Sequence, residues 1–234
     1  MARRLLAELL GTGLLVAVVV GSGIAAQRLS PGDIGLQLLE NSTATGAGLV
    51  ALILAFGSVS GAHFNPVVTL ADRLLGGMSS RDGIWYVAVQ MVGACAGAMV
   101  ANLMFDLPAV TVSTHLRSSS GLWLGEVVAT FGLLTVILGL TRTGRSSAAP
   151  YAVGAYIAAA YWFTSSTSFA NPAVTVGRTL TNTFAGIAPS SVPAFVTAQI
   201  VGAVLGIGVA RLLHPKLDAA DILLPHPDTA EETS

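Results

Sequence analysis

The segment "FNPVVTLADR" at residues 64–73 returns in near copy as "FANPAVTVGR" at residues 169–178. The copies are not isolated. "AELLGTGLLVAVVVGSG" around Glu8 pairs with "GEVVATFGLLTVILGL" around Glu126, and "VQMVGACAG" around Gln90 pairs with "AQIVGAVLG" around Gln199. A glutamate, an Asn-Pro and a Gln-x-Val-Gly therefore follow one another in the same order twice. Such a chain is an internal repeat, and its two halves fold alike.

The runs between these landmarks say what solvent the repeat folds in. The chain is 53% hydrophobic and 10% charged, with a mean hydropathy of +0.74. An ordinary soluble domain is about 25% charged, so the reading is an integral membrane protein in contact with lipid. Six apolar runs are expected to span, at 5–26, 43–59, 84–105, 122–140, 148–163 and 192–213. The start "MARRLLAELL" is read as part of the first span, not as a cleaved signal. Each half holds three runs, an odd number, so the second copy enters the membrane from the opposite face. The expected fold is all-α membrane: six transmembrane helices plus two re-entrant half-helices, in inverted three-helix repeats. A single channel domain at 1–214 comprises repeat one (about 3–105) and repeat two (about 119–213). An acidic, loosely ordered cytosolic tail follows at 215–234.

Asn is a favoured helix N-cap and Pro a favoured first helical residue. Asn65–Pro66 and Asn171–Pro172 therefore start helices, which stop near Gly76–Gly77 and near residues 182–186. About ten residues rise roughly 15 Å, half of a ~30 Å hydrocarbon core. Two such half-helices entering from opposite faces meet at the midplane. Non-helical backbone is tolerated at that depth only inside protein or along a wet cavity. The small polar stretches "GSVSGAH" and "TSSTSF" before the two starts suit a pathway. Facing helix N-termini, each about +0.5 charge, oppose cations and favour neutral hydrogen-bonding solutes. The Asn65 and Asn171 amides are expected to cap their helices and point an N–H at what passes.

Other residues are weighed against blander roles. Glu8 and Glu126 are intramembrane carboxylates, costly without a partner; they are expected to accept hydrogen bonds from the irregular backbone before each half-helix, with ion coupling as the rival. His63 is placed in a vestibule. Gly93/Gly97 and Gly202/Gly206 let helices approach closely. Cys95, the one cysteine, is expected to be a small buried residue and excludes an internal disulfide. No nucleophile–base set, metal-ligand cluster or phosphate loop is present, so neither an enzyme, a metal nor a cofactor is expected. A net charge of -1 gives no reason to expect nucleic acid. Of the basic residues, Arg3, Arg4, Arg73, Arg81, Arg142, Arg145, Arg211 and Lys216 fall on one side, against Arg28, Arg117 and Arg178 on the other. The positive-inside rule then puts both termini in the cytoplasm.

These motifs resemble the aquaporin, or major intrinsic protein, family. "SGAHFNPVVTLA" is similar to its first signature, with Val67 where Ala is usual, and "FANPAVTV" carries the second intact with Asn171, Pro172 and Ala173. The paired Glu8 and Glu126, and Gln90 and Gln199, also fit. The resemblance implies a homotetramer with a pore in each subunit, set in lipid of the plasma (inner) membrane. It also exposes a departure. The family usually has Arg directly after the second Asn-Pro-Ala, and here that position is Val174, with Arg178 a turn further on. Spacing from the asparagines carries the other filter positions to Thr45, Ala159 and Ser168. Small residues at all four imply a wide filter with few donors, and Arg178 is expected at the extracellular mouth or in a loop, with a swing into the pore in place of the missing Arg as the alternative. The Arg-to-Val change resembles a bacterial aquaglyceroporin-like branch associated with arsenic resistance, whose implied solutes are arsenite, antimonite and methylated arsenicals. Rivals are an ordinary water channel, an ion-coupled transporter of inverted-repeat type, and a structural tetramer with a closed pore.

Overall fold

The protein's structure, a computed structural model, describes residues 1–214, so the acidic tail read at 215–234 lies outside the described residues. Regular structure among the described residues is helical: α1 (Ala2–Leu29), α2 (Ile34–Ser60), α3 (Pro66–Leu74), α4 (Ser80–Met104), α5 (Ser120–Arg142), α6 (Ala149–Phe163), α7 (Pro172–Gly177) and α8 (Val192–Leu213), with short 3-10 turns between some of them. α1, α2, α4, α5 and the segment from Pro189 through α8 are each long and apolar enough to cross a membrane. α6 has 15 residues, about 22 Å at 1.5 Å per residue, and is extended at its start by the 3-10 turn Ser146–Ala148.

The expected span at 43–59 begins nine residues too late, because hydropathy counts Gln37, Asn41 and Ser42 against it. They are buried polar residues of α2. Asp33 caps the helix by accepting from Leu36 N at 2.9 Å. The Asn41 amide donates to the Val19 carbonyl at 2.9 Å and to Ser22 Oγ at 2.8 Å. Gln37 donates to the Ser30 carbonyl at 2.8 Å. Polar side chains inside a membrane helix survive when each finds a partner on its neighbour, and α1 supplies these.

The repeat is visible in the packing. α1 packs on α2 and α4 as α5 packs on α6 and α8, while α3 contacts α8 as α7 contacts α4. α2 and α6 meet each other, and so do α3 and α7. The closest crossings rest on the glycines. A Cβ on Gly93 would overlap the Leu9 carbonyl oxygen, and one on Gly97 that of Gly13; a Cβ on Gly202 would overlap the Val127 carbonyl oxygen and one on Gly206 would sit 3.0 Å from that of Phe131. Leu9 and Val127 each follow the matched glutamate, so both crossings have the same register. The obstructing atoms are backbone and cannot rotate away. Gly97→Val is therefore expected to lower stability by about 3 kcal/mol through overpacking, read as a drop in the unfolding midpoint of detergent-purified protein. Cys95, expected to be buried, is only partly buried; it lies between Gly93 and Gly97, the residues that meet α1, two positions from each.

Both half-helices begin at the asparagines. Asn65 Oδ1 accepts from Val67 N at 3.1 Å, and Asn171 Oδ1 from Ala173 N at 2.9 Å and Val174 N at 3.2 Å. α3 runs 9 residues and stops before Gly76 in the left-handed region (φ 91). α7 runs only 6 before tightening into a 3-10 turn at Arg178–Leu180. It ends earlier than expected because the loop at 181–188 folds back: Ile187 N donates to the Arg178 carbonyl at 3.3 Å.

Candidate functional site

Where the two half-helices meet, each asparagine also reaches across to the other half. Asn65 Nδ2 donates to the Ala170 carbonyl and Asn171 Nδ2 to the Phe64 carbonyl, both at 2.8 Å. One amide hydrogen of each side chain is thus used to brace the pair. The other remains on the same nitrogen, and both asparagines line a cavity that runs past them.

The chain leading into each asparagine is strained in matching places. Ala62 and Phe64 before Asn65, and Ser168 and Ala170 before Asn171, have φ between 47 and 49. Non-glycine residues there cost of order 1–3 kcal/mol each and persist only where surroundings hold them. The glutamates do the holding. Glu8 accepts from His63 N at 3.0 Å, Phe64 N at 2.7 Å, Ser60 Oγ at 2.6 Å and Gln90 Nε2 at 2.8 Å. Glu126 accepts from Phe169 N at 2.8 Å, Ala170 N at 2.9 Å and Gln199 Nε2 at 2.6 Å. Gln90 and Gln199 also donate to Thr69 and Thr175, equivalent hydroxyls on the two half-helices. All four of these carboxylate and amide side chains are fully buried. By taking the N–H groups, the glutamates turn the other side of each loop toward the cavity. Among the described residues, no protein donor reaches the carbonyls of Gly61, Ala62, Ser168 or Phe169.

The opposite wall is apolar, built from Leu15, Val19, Ile53, Leu133, Ile137 and Val153 of α1, α2, α5 and α6. Beside the asparagines a solute in this cavity meets acceptors and amides on the loop side and apolar side chains on the other. At one end His63 lines the cavity, with Nδ1 3.0 Å from Thr69 Oγ1 and Nε2 3.6 Å from Asp72 Oδ2.

The other end differs from expectation. Thr45, Ser168 and Val174 line the cavity, but Ala159 does not; it is exposed on the outer face of α6. Val153, Ile157 and Tyr161 recur every four residues and face inward, and Ala159 lies about 200° round from Ile157. Counting back from Asn171 passes through the left-handed loop, which does not transmit helical register. Tyr161 takes the place, 3% exposed, its hydroxyl 3.3 Å from Thr45 Oγ1. Arg178 is also in the cavity wall and not in a loop or at the open mouth. It is 2% exposed, with its guanidinium carbon 3.5 Å from the Phe169 ring centroid and Nε donating to the Ala185 carbonyl. The end is therefore lined by one aromatic hydroxyl and one guanidinium beside the small residues. Val67, Pro66, Pro172 and Ala173 are buried helix-start residues that shape the junction without lining it. The sequence signal for Tyr161 was its four-residue spacing from Ile157, and for Arg178 its seven-residue spacing from Asn171.

Comparison with known proteins agrees with this architecture. The sequence model of the Major intrinsic protein family matches residues 1–170. The chain is 52% identical over 216 residues to Aquaglyceroporin AqpS of Rhizobium meliloti, covering 92% of each protein. It is 33% identical over 246 residues to the Glycerol uptake facilitator protein of Pseudomonas aeruginosa, covering 89% of this chain and 87% of that one. The crystal structure of the aquaglyceroporin from Plasmodium falciparum superposes with a TM-score of 0.70 at 21% identity, covering 94% of this chain and 99% of the other, which establishes a shared fold. With five helices long and apolar enough to cross a membrane, the shorter α6, two facing half-helices and a family match over residues 1–170, the chain belongs to the major intrinsic protein family of membrane channels.

Proposed function

We propose that the protein is a passive channel for small uncharged hydroxylated solutes: polyols such as glycerol, the trihydroxides of trivalent arsenic and antimony or methylated arsenicals, and some water. The observation that carries this is the two-faced cavity. Beside the asparagines its polar wall, formed by the loops into Asn65 and Asn171, offers carbonyl acceptors that no protein donor among the described residues takes up. Its apolar wall accommodates the carbon or metalloid face of a solute whose hydroxyls turn the other way. Facing helix N-termini at the middle oppose cation passage. Val174 leaves room where a longer side chain would narrow the wall. The relatives named for aquaglyceroporin and glycerol uptake support the polyol reading. The trihydroxides enter because they are neutral near pH 7 and similar to a small polyol in size and hydroxyl display.

In this reading Asn65, Pro66, Val67, Asn171, Pro172 and Ala173 form the midplane junction; Thr45, Ser168 and Val174 belong to the selective end; His63 marks the vestibule; and Glu8, Glu126, Gln90 and Gln199 are buried supports. The protein sits in the inner membrane as a homotetramer with both termini cytoplasmic, so the His63 end faces the cytoplasm. The test is stopped-flow light scattering on proteoliposomes under glycerol and sucrose gradients, with arsenous acid uptake quantified directly. Glycerol and arsenous acid are expected to enter at rates linear in gradient and indifferent to sodium or pH gradients. Saturation with ion dependence points to a coupled transporter, water flux alone to an ordinary water channel, and rates equal to empty liposomes to a closed pore.

A further inference from the structure

We infer that Arg178 is the specificity-determining cation of this channel. Its guanidinium, one helical turn beyond Val174, forms with the Ser168 hydroxyl a donor subsite for the oxygens of small neutral polyhydroxy solutes. The inference rests on the reading of the cavity as a solute pathway.

The first support is register. Asn171, Val174 and Arg178 stand at i, i+3 and i+7, one face of a helix, and all three line the cavity. Repeat one places its equivalents alike. Val68 lines the cavity, and Asp72, seven residues after Asn65, turns back to His63 at 3.6 Å. In repeat two Arg178 turns back to Phe169, the counterpart of His63, at 3.5 Å. In both halves the side chain two turns into the half-helix folds over the residue two before the asparagine. The fold itself therefore aims position 178 at the pathway, and the sequence fills it with a cation.

The second support is an unfilled valence. Arg178 is pinned twice, by the Nε hydrogen bond to Ala185 and by stacking on Phe169. A planar guanidinium held this way points its remaining donors in fixed directions. Yet Nη1 is buried without a hydrogen-bond partner, and so is Ser168 Oγ on the same cavity. Two buried polar groups left open on one cavity call for a ligand. Nη1 only donates and the hydroxyl can donate, so the ligand must bring lone pairs. A hydroxyl-bearing neutral molecule does so, a cation is repelled, and a methyl group at the same place leaves both donors unmet. Arg117, with its guanidinium carbon 5.2 Å from the Phe169 ring centroid, adds positive charge near this end.

The test uses proteoliposomes holding the full chain and compares glycerol with 1,2-propanediol, which lacks one hydroxyl at similar size. Wild type is expected to favour glycerol. Arg178→Met keeps much of the stem and removes the donors; the glycerol-to-propanediol permeability ratio is expected to fall about tenfold, the worth of a lost hydrogen bond to a charged group. Potassium leak should rise with it. Arg178→Lys retains the charge without the fork, and is expected to exclude potassium while losing part of the ratio. An unchanged ratio and no leak in Arg178→Met overturns the proposal and leaves Arg178 an anchor for the 181–188 loop. Where that variant does not reconstitute, Ser168→Ala decides: a lowered ratio supports the subsite and an unchanged ratio overturns it. Wild type passing neither solute above empty liposomes overturns the channel reading itself, a result distinct from a channel that conducts but ignores Arg178.

Discussion

Glu126→Ala is expected to stop the protein accumulating as a folded assembly. The carboxylate takes the Phe169 and Ala170 N–H groups and the Gln199 amide, all three in the fully buried interior. Each buried donor left unmet costs about 1–3 kcal/mol. Together they remove about 3–9 kcal/mol, most of what an ordinary fold has to spare. The loss also releases the left-handed residues Ser168 and Ala170, so the loop relaxes and the Asn171 brace to Phe64 goes with it. Glu126→Gln keeps the shape, but its new amide hydrogens face donors at whichever oxygen they replace. It should assemble with a lower unfolding midpoint and reduced flux. Size-exclusion profiles and thermal unfolding in detergent read both effects. Glu8→Ala should behave alike, since it supports Phe64 and His63 in the same way. Normal assembly and wild-type glycerol flux in Glu126→Ala would mean that the Gln199 and Thr175 contacts alone hold the loop.

What the chain showed in advance was whatever repeats or has a period. Six spans, two half-helices and the inverted order follow from apolar runs and from the doubled Asn-Pro, because burial in lipid and helix capping are local rules. α8 runs from 192 to 213, as hydropathy places it. The early start of α2 was hidden because Asn41 and Gln37 are polar, and their partners on α1 exist only after folding. The cavity end at Thr45, Ser168 and Val174 was the least legible. Its geometry passes through residues 167–170, where Thr167, Ser168 and Ala170 take positive φ. No residue type there announces it, and the cause, Glu126, lies far away in sequence. Counted back from Asn171 across this loop, Ala159 falls on the outer face while Tyr161 lines the cavity, although a count back from Asn65 across its own left-handed loop reaches Thr45. Positions counted along the half-helix did not slip, which is why Val174 lines the cavity and Arg178 joins it two turns from Asn171.

Val174→Arg is expected to close the pathway to glycerol and arsenous acid while leaving part of the water flux. Val174 is 5% exposed and lines the same cavity as Thr45 and Tyr161. Arginine there adds several heavy atoms and a guanidinium to the cavity wall. Pore diameter and lining donors together set what passes, and on that basis glycerol permeability is expected to fall by at least about tenfold and water by only about threefold. Charge adds to bulk, for the new guanidinium stands one turn from Arg178 on the same helix face and like charges at that spacing repel. Val174→Leu separates the two, since it enlarges the wall without charge; it should cost glycerol a few-fold and leave potassium exclusion unchanged. In Val174→Arg with Arg178→Met the repulsion is gone, and the channel should exclude potassium again while still rejecting glycerol. If Val174→Arg passes glycerol at the wild-type rate, the constriction lies instead between Tyr161 and Arg178, and residue 174 is only a wall.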